Sequence, residues 1–105
     1  MANGQLICFR GREPEIDPEA FVAEGVRLVG RVSLGPRASV WYNAVLRGDI
    51  EEVRVGAGSN IQDNAVLHVG SSHPCLVGDN VLIGHGAICH GCRIEDGALI
   101  GMGAI

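Results

Sequence analysis

The sequence predicts an all-β chain wound as a parallel β-helix from six-residue units. Three observations predict it. Gly accounts for 16 of 105 residues and aromatics for only 4%, a composition of short strands and tight corners. Large aliphatic residues recur at every sixth position. Small or β-branched residues recur two positions before them. A period of six fits neither an α-helix nor a plain strand, but it fits a short strand followed by a corner. Three such units make one triangular coil of about 18 residues, each coil burying its interior only against its neighbours.

Taken in order, the first run of inward aliphatics is Ile16, Val22, Leu28, Leu34, Val40 and Leu46, with Ala20, Val26, Val32, Ala38 and Ala44 as the small partners. The phase then slips by three residues. It resumes at Val55, Ile61 and Leu67, with Ser59 and Ala65 as partners. After "VGSSHPC" it resumes again at Val77, Ile83 and Cys89, and a one-residue shortening leads to Ile94 and Ile100, with Ala98 and Ala104. Such slips are expected as loops or bulges at corners. Gly30, Gly35, Gly56, Gly78, Gly84 and Gly101 fall at or next to corners, where positive φ is expected. Residues 1–15 form a lead-in segment, and residues 16–105 form the repeat domain. A β-sandwich would instead alternate with period two.

The net charge of −4 gives no basic footprint for nucleic acid. No apolar run approaches the ~20 residues of a membrane helix, so membrane insertion is not expected, and the N-terminus lacks the pattern of a signal peptide. A cytoplasmic location is expected. There Cys8, Cys75, Cys89 and Cys92 stay reduced unless they bind metal or do redox work.

The chemistry-bearing residues cluster just past inward aliphatics. His68 follows Leu67, His90 follows Cys89, and His85 comes two after Ile83. His85 lies seventeen residues after His68, nearly one coil, which places the two near one edge about one strand spacing apart. Three imidazoles suffice for a catalytic zinc site with its fourth position left to water, whose pKa then falls to about 7. Scattered surface histidines are the bland alternative. "LRGDI" sets Arg47 and Asp49 after Leu46, and "NIQDNAVLH" sets Gln62 and Asp63 after Ile61, with His68 six residues beyond Gln62. Otherwise these four are an exposed ion pair and ordinary corner polarity. In "GHGAICHGC", Cys89 fills an aliphatic slot and is expected to pack inward as a small hydrophobe, with Cys92 at the corner. His73 is expected in solvent, and Trp41 and Tyr42 at a subunit surface.

The stretches "SVWYNAVLRGD", "SNIQDNAVLHV" and "VGDNVLIGHGAICHGCRIEDGALIGMGAI" resemble the gamma-class carbonic anhydrase-like family of hexapeptide-repeat proteins. The resemblance implies a left-handed parallel β-helix. It implies a homotrimer with metal sites between subunits, and His68, His85 and His90 as the metal ligands. His68 and His90 would serve one metal from one chain, with His85 reaching the metal shared with the neighbour. Gln62 matches the residue that hydrogen-bonds the metal-bound hydroxide, Asp63 the acid beside the substrate, and Arg47 and Asp49 residues that pair across the subunit interface. The implied reaction is a lyase (carbonate dehydratase) reaction in which metal-bound hydroxide attacks CO2 to give bicarbonate. Zn is the implied metal, with Fe or Co as alternatives, since imidazoles alone do not choose among them.

Two features depart from the family pattern. Ile50 stands where an acid would serve proton transfer, and "VGSSHPC" carries no acid. Family members also continue through more repeats to a C-terminal helix, so the repeat domain is expected to be incomplete at its C-terminus. Two other functions share the fold and stay open: a non-catalytic trimeric metal-binding or assembly scaffold, and a hexapeptide acyltransferase with a histidine base.

Overall fold

A computed structural model describes residues 3–105. It is all-β: β1 (Gln5–Ile7), β2 (Glu15–Ile16), β3 (Phe21–Val22), β4 (Arg27–Leu34), β5 (Ser39–Val40), β6 (Val45–Val55), β7 (Asn60–Ile61), β8 (Val66–His68), β9 (Cys75–Val77), β10 (Leu82–Ile83), β11 (Ile88–His90), β12 (Arg93–Ile94) and β13 (Leu99–Ile100). Every strand pair is parallel. The strands stack into three faces of a prism. The first face runs β1, the start of β4, the start of β6, β8, β11. The second runs β2, the end of β4, the end of β6, β9, β12. The third runs β3, β5, β7, β10, β13.

Most of the predicted slots form the core, with Ile16, Ala98 and Ile100 partly buried against it. Leu28, Leu46, Ile61, Leu67 and Ile83 are fully buried, as are the small partners Ala38, Ala44 and Ala65. Ser59 is the polar exception among them. Its hydroxyl donates to the Gly78 carbonyl at 2.6 Å and accepts from Val81 N at 3.0 Å, so its burial leaves no orphaned group. Cys89 is buried in the aliphatic slot, as expected.

The phase slips map to a single corner of the prism, between the first and second faces. Arg27 pairs with Val45, Val45 with Val66 and Val66 with Ile88, so successive coils take eighteen, twenty-one and twenty-two residues. The first insertion bulges out of β6 between Gly48 and Val53. The second is the loop after β8, closed by a bridge between Gly70 and His73. Leu76 then pairs with Arg93, seventeen residues on. A prism must keep its faces aligned to keep its core, so extra residues are expelled where no core slot is displaced.

The glycine expectation holds only for Gly30, at φ 72. The left-handed residue of the other five corners comes two positions later, at Arg37, Gly58, Asn80, Gly86 and Gly103. These are four-residue turns closed by bonds such as Ser59 N to Gly56 O and Ala87 N to Gly84 O, with positive φ at the third position. Gly56 and Gly84 are needed for a different reason, close approach. A Cβ on Gly84 would sit 2.6 Å from Met102 N, and one on Gly56 would strike the Gly78 carbonyl.

Candidate functional site

The first face carries the candidate site along its outer surface, and its two ends are built differently. At the inserted corner, alternation along β6, β8 and β11 turns Leu46, Leu67 and Cys89 inward. The next residues, Arg47, His68 and His90, therefore point outward. His68 and His90 are direct register partners. Their rings meet edge to face with centroids 5.1 Å apart.

The bulge in β6 supplies the third group at this end. Asp49 Oδ1 lies 3.0 Å from His68 Nε2 and also accepts from Ile50 N at 2.8 Å. Asp49 Oδ2 accepts from Arg47 Nη1 at 2.6 Å. Asp49 and His68 are mostly buried, with side chains 15% and 17% exposed. Desolvation raises the Asp49 pKa, but the Ile50 N–H, the His68 ring and the Arg47 guanidinium outweigh it and hold the carboxyl below its ordinary 3.8. An ionised carboxylate only accepts, so in this contact His68 Nε2 is the donor.

The other end of the face is the corner shared with the third face. There Asn64 N bonds Tyr42 O, Gly86 N bonds Asp63 O and Gly103 N bonds His85 O. This ladder stacks Tyr42, Asp63 and His85 in successive coils. His85 Nδ1 lies 3.5 Å from Asp63 Oδ1, and His85 is largely exposed. Gln62 opens the same turn as Asp63, its carbonyl accepting from Ala65 N.

This corrects one expectation. His68 is stacked on His90, not near His85, because the inserted loop lengthens that coil to twenty-two residues and moves the His68 partner to His90. His85 instead lies one coil above Asp63. Among the described residues, no three His, Cys, Asp or Glu side chains of one chain converge as a metal cage. The donor set suits zinc, since His68 and His90 are paired imidazoles of the kind such sites use. One chain brings two of the three expected ligands together.

The Asp49–His68 contact was not read from the sequence. Its signal was the three-residue slip, which is the bulge that aims Asp49 at His68. Trp41 packs against Phe21 and Tyr42, with ring centroids 4.9 and 6.1 Å apart. His73 is exposed. Cys75 Sγ donates to the Cys89 carbonyl at 3.7 Å.

No family model matches the chain. The chain is 50% identical over 83 residues to "Gamma carbonic anhydrase 1, mitochondrial" of Arabidopsis thaliana, a match taking in 73% of this chain and 30% of the plant protein. It therefore spans less than a third of that relative's length. A Bacillus cereus protein provisionally called an acetyltransferase superposes with a TM-score of 0.88 at 32% identity, over 97% of this chain and 70% of that one. A hexapeptide transferase family protein from Anaplasma phagocytophilum gives a TM-score of 0.79 at 35% identity, covering 93% and 68%. The stacked parallel coils of this chain are thus the hexapeptide-repeat β-helix fold. The stacked hexapeptide coils and these relatives lead to one statement: the chain belongs to the gamma-class carbonic anhydrase-like family of hexapeptide-repeat proteins.

Proposed function

We propose that the chain is a gamma-carbonic-anhydrase-like, metal-dependent hydratase interconverting CO2 and bicarbonate, working as a homotrimer in a reducing compartment such as the cytoplasm. The observation that carries this reading is the register of His68 on His90 beside Asp49. Two imidazoles at one end of a face, with a third imidazole and a carboxylate at its other end, are halves of a site that a second copy can complete. His68 and His90 of one chain and His85 of the next would hold the metal, most simply Zn. When bound, the metal supplies Lewis-acid activation of water at neutral pH.

The chain's own residues would do the rest. Asp49 orients the His68 ring and is itself fixed by Arg47. On assembly, Arg47 and Asp49 would also be placed to pair across the subunit boundary. Gln62 would orient the attacking water by hydrogen bonding, and Asp63 would stand on the substrate side of the neighbouring chain's site. Ile50, half exposed on the bulge, carries no proton, and the nearby Glu52 is paired with Arg54 at 3.2 Å. Proton release is therefore expected to be slow and to depend on buffer.

The test is stopped-flow CO2 hydration with zinc-loaded protein across buffer concentrations. The reading predicts a rate that rises with buffer and vanishes in His68→Ala. Equal rates for the two proteins would remove it. A second reading, acyl transfer, is favoured by the superposition on the Bacillus cereus protein. Acetyl-CoA-dependent acetylation by the purified chain would support it.

A further inference from the structure

We propose that Cys75 and Cys92 form a reversible disulfide that locks two neighbouring coils together beside His90, made by exchange with a low-molecular-weight disulfide. The register carries this. β9 and β12 pair Leu76 with Arg93 and Val77 with Ile94. One position earlier the same register sets Cys75 opposite Cys92, and the ladder reaches that far, because Leu76 N bonds Cys92 O at 2.8 Å. Register partners on adjacent strands lie about 4.8 Å apart, within the roughly 4.4–6.8 Å Cα separation that a disulfide spans. Val77 and Ile94 both face inward, so two residues earlier Cys75 and Cys92 face the same way.

Cys89 is the third thiol nearby, but it belongs to a different ladder. Its register partner is Leu67, and the chain turns through Gly91, at φ 53, before reaching Cys92.

Access orders the steps. Cys75 is fully buried. Cys92, at the corner, is only half-buried and lines a surface cavity of about 220 Å³ with His73, Pro74, Leu76, Gly91 and Arg93. A small disulfide RSSR meets Cys92 there. The Cys92 sulfur attacks one sulfur of RSSR, the S–S bond breaks, and the departing RS⁻ takes up the proton that Cys92 gave away. The Cys75 sulfur then attacks the Cys92 sulfur of the mixed disulfide and expels the second RS⁻, which takes the Cys75 proton. Two protein thiols are oxidised, and one RSSR is reduced to two RSH. The lock does not depend on the hydratase reading.

The test uses a Cys8→Ser background, which removes the exposed thiol, with oxidised glutathione as the probe. Intact mass and non-reducing peptide mapping should show the loss of two hydrogens and a Cys75–Cys92 linked peptide, both reversed by dithiothreitol. Cys92→Ser should lose the link and take up no glutathione at Cys75. Cys75→Ser should stop at a glutathione adduct on Cys92. A Cys89–Cys92 link overturns the proposal, as does a chain whose three thiols all stay reduced at every glutathione ratio. Far-UV circular dichroism of Cys92→Ser confirms that its loss of the link is not a loss of fold.

Discussion

Asp49 joins His68 and Arg47 in one contact group, with Oδ1 3.0 Å from His68 Nε2 and Oδ2 2.6 Å from Arg47 Nη1. In the metal-free chain this contact favours, whenever the His68 ring is neutral, the tautomer with its proton on Nε2. Two-dimensional 15N–1H NMR should show that tautomer, and Asp49→Ala should remove the preference. The pH dependence follows from the lowered Asp49 pKa. A carboxyl with a lowered folded value stabilises the fold above its unfolded value and loses that contribution as pH falls through the lowered one. The stability gap between the parent chain and Asp49→Asn should be full at neutral pH and should close as pH falls below the ordinary 3.8.

Leu67 is fully buried inside the prism and stacked between Leu46 and Cys89. Truncation leaves a cavity that two strand ladders hold open. Leu67→Ala should cost about 2–5 kcal/mol in urea unfolding. A loss well under that would mean that the coils collapse around the gap.

Two corner substitutions should differ in sign. Gly56→Ala drives a Cβ into the Gly78 carbonyl of the next coil, and backbone cannot swing aside as a side chain can. It should destabilise by more than 1 kcal/mol, by roughly the cost of local overpacking. Arg37 sits at φ 60, where a left-handed backbone costs an L-residue about 1–2 kcal/mol. Its contact with Glu19 at 3.5 Å is exposed on both sides and adds little. Arg37→Gly should therefore leave stability unchanged or raise it slightly, measured in the same urea series.

Burial, reinforced by the charge and hydrogen bond of Cys92, pushes the Cys89 thiol up to about 11, and burial raises Cys75 as well. A folded state that disfavours the thiolate is stabilised below the ordinary value of 9.0 and loses that contribution as pH rises towards 11. Urea midpoints should fall across that window. At pH 8, iodoacetamide should label exposed Cys8 first and reach Cys75 and Cys89 only on unfolding. Equal labelling of Cys8 and Cys89 in the folded chain would contradict this.

The core was legible because the prism has one rule. Each coil must present an aliphatic at fixed positions, so Val22, Leu28, Val40, Leu46, Ile61 and Ile83 declare it through spacing alone. The turns were less legible. Glycine serves two needs here, close approach at Gly56 and Gly84 and positive φ at Gly58 and Gly86, and the sequence does not separate them. The candidate site was legible as residue types, but its assembly was not. Counting seventeen residues from His68 to His85 suggests one coil, yet the inserted loop makes His90 the neighbour. Asp49 and Cys75 acquire their contacts only from where the insertions are expelled.

On the proposed function, one chain supplies only part of a metal centre and assembly completes it. The most direct measurement is metal per chain by elemental mass spectrometry after zinc loading, with molar mass by light scattering on the same samples. A trimer should hold about one zinc per chain, and that zinc should be lost in both His68→Ala and His85→Ala although the two histidines lie at opposite ends of a face. Zinc retained in His85→Ala, or no zinc in the parent trimer, would contradict it.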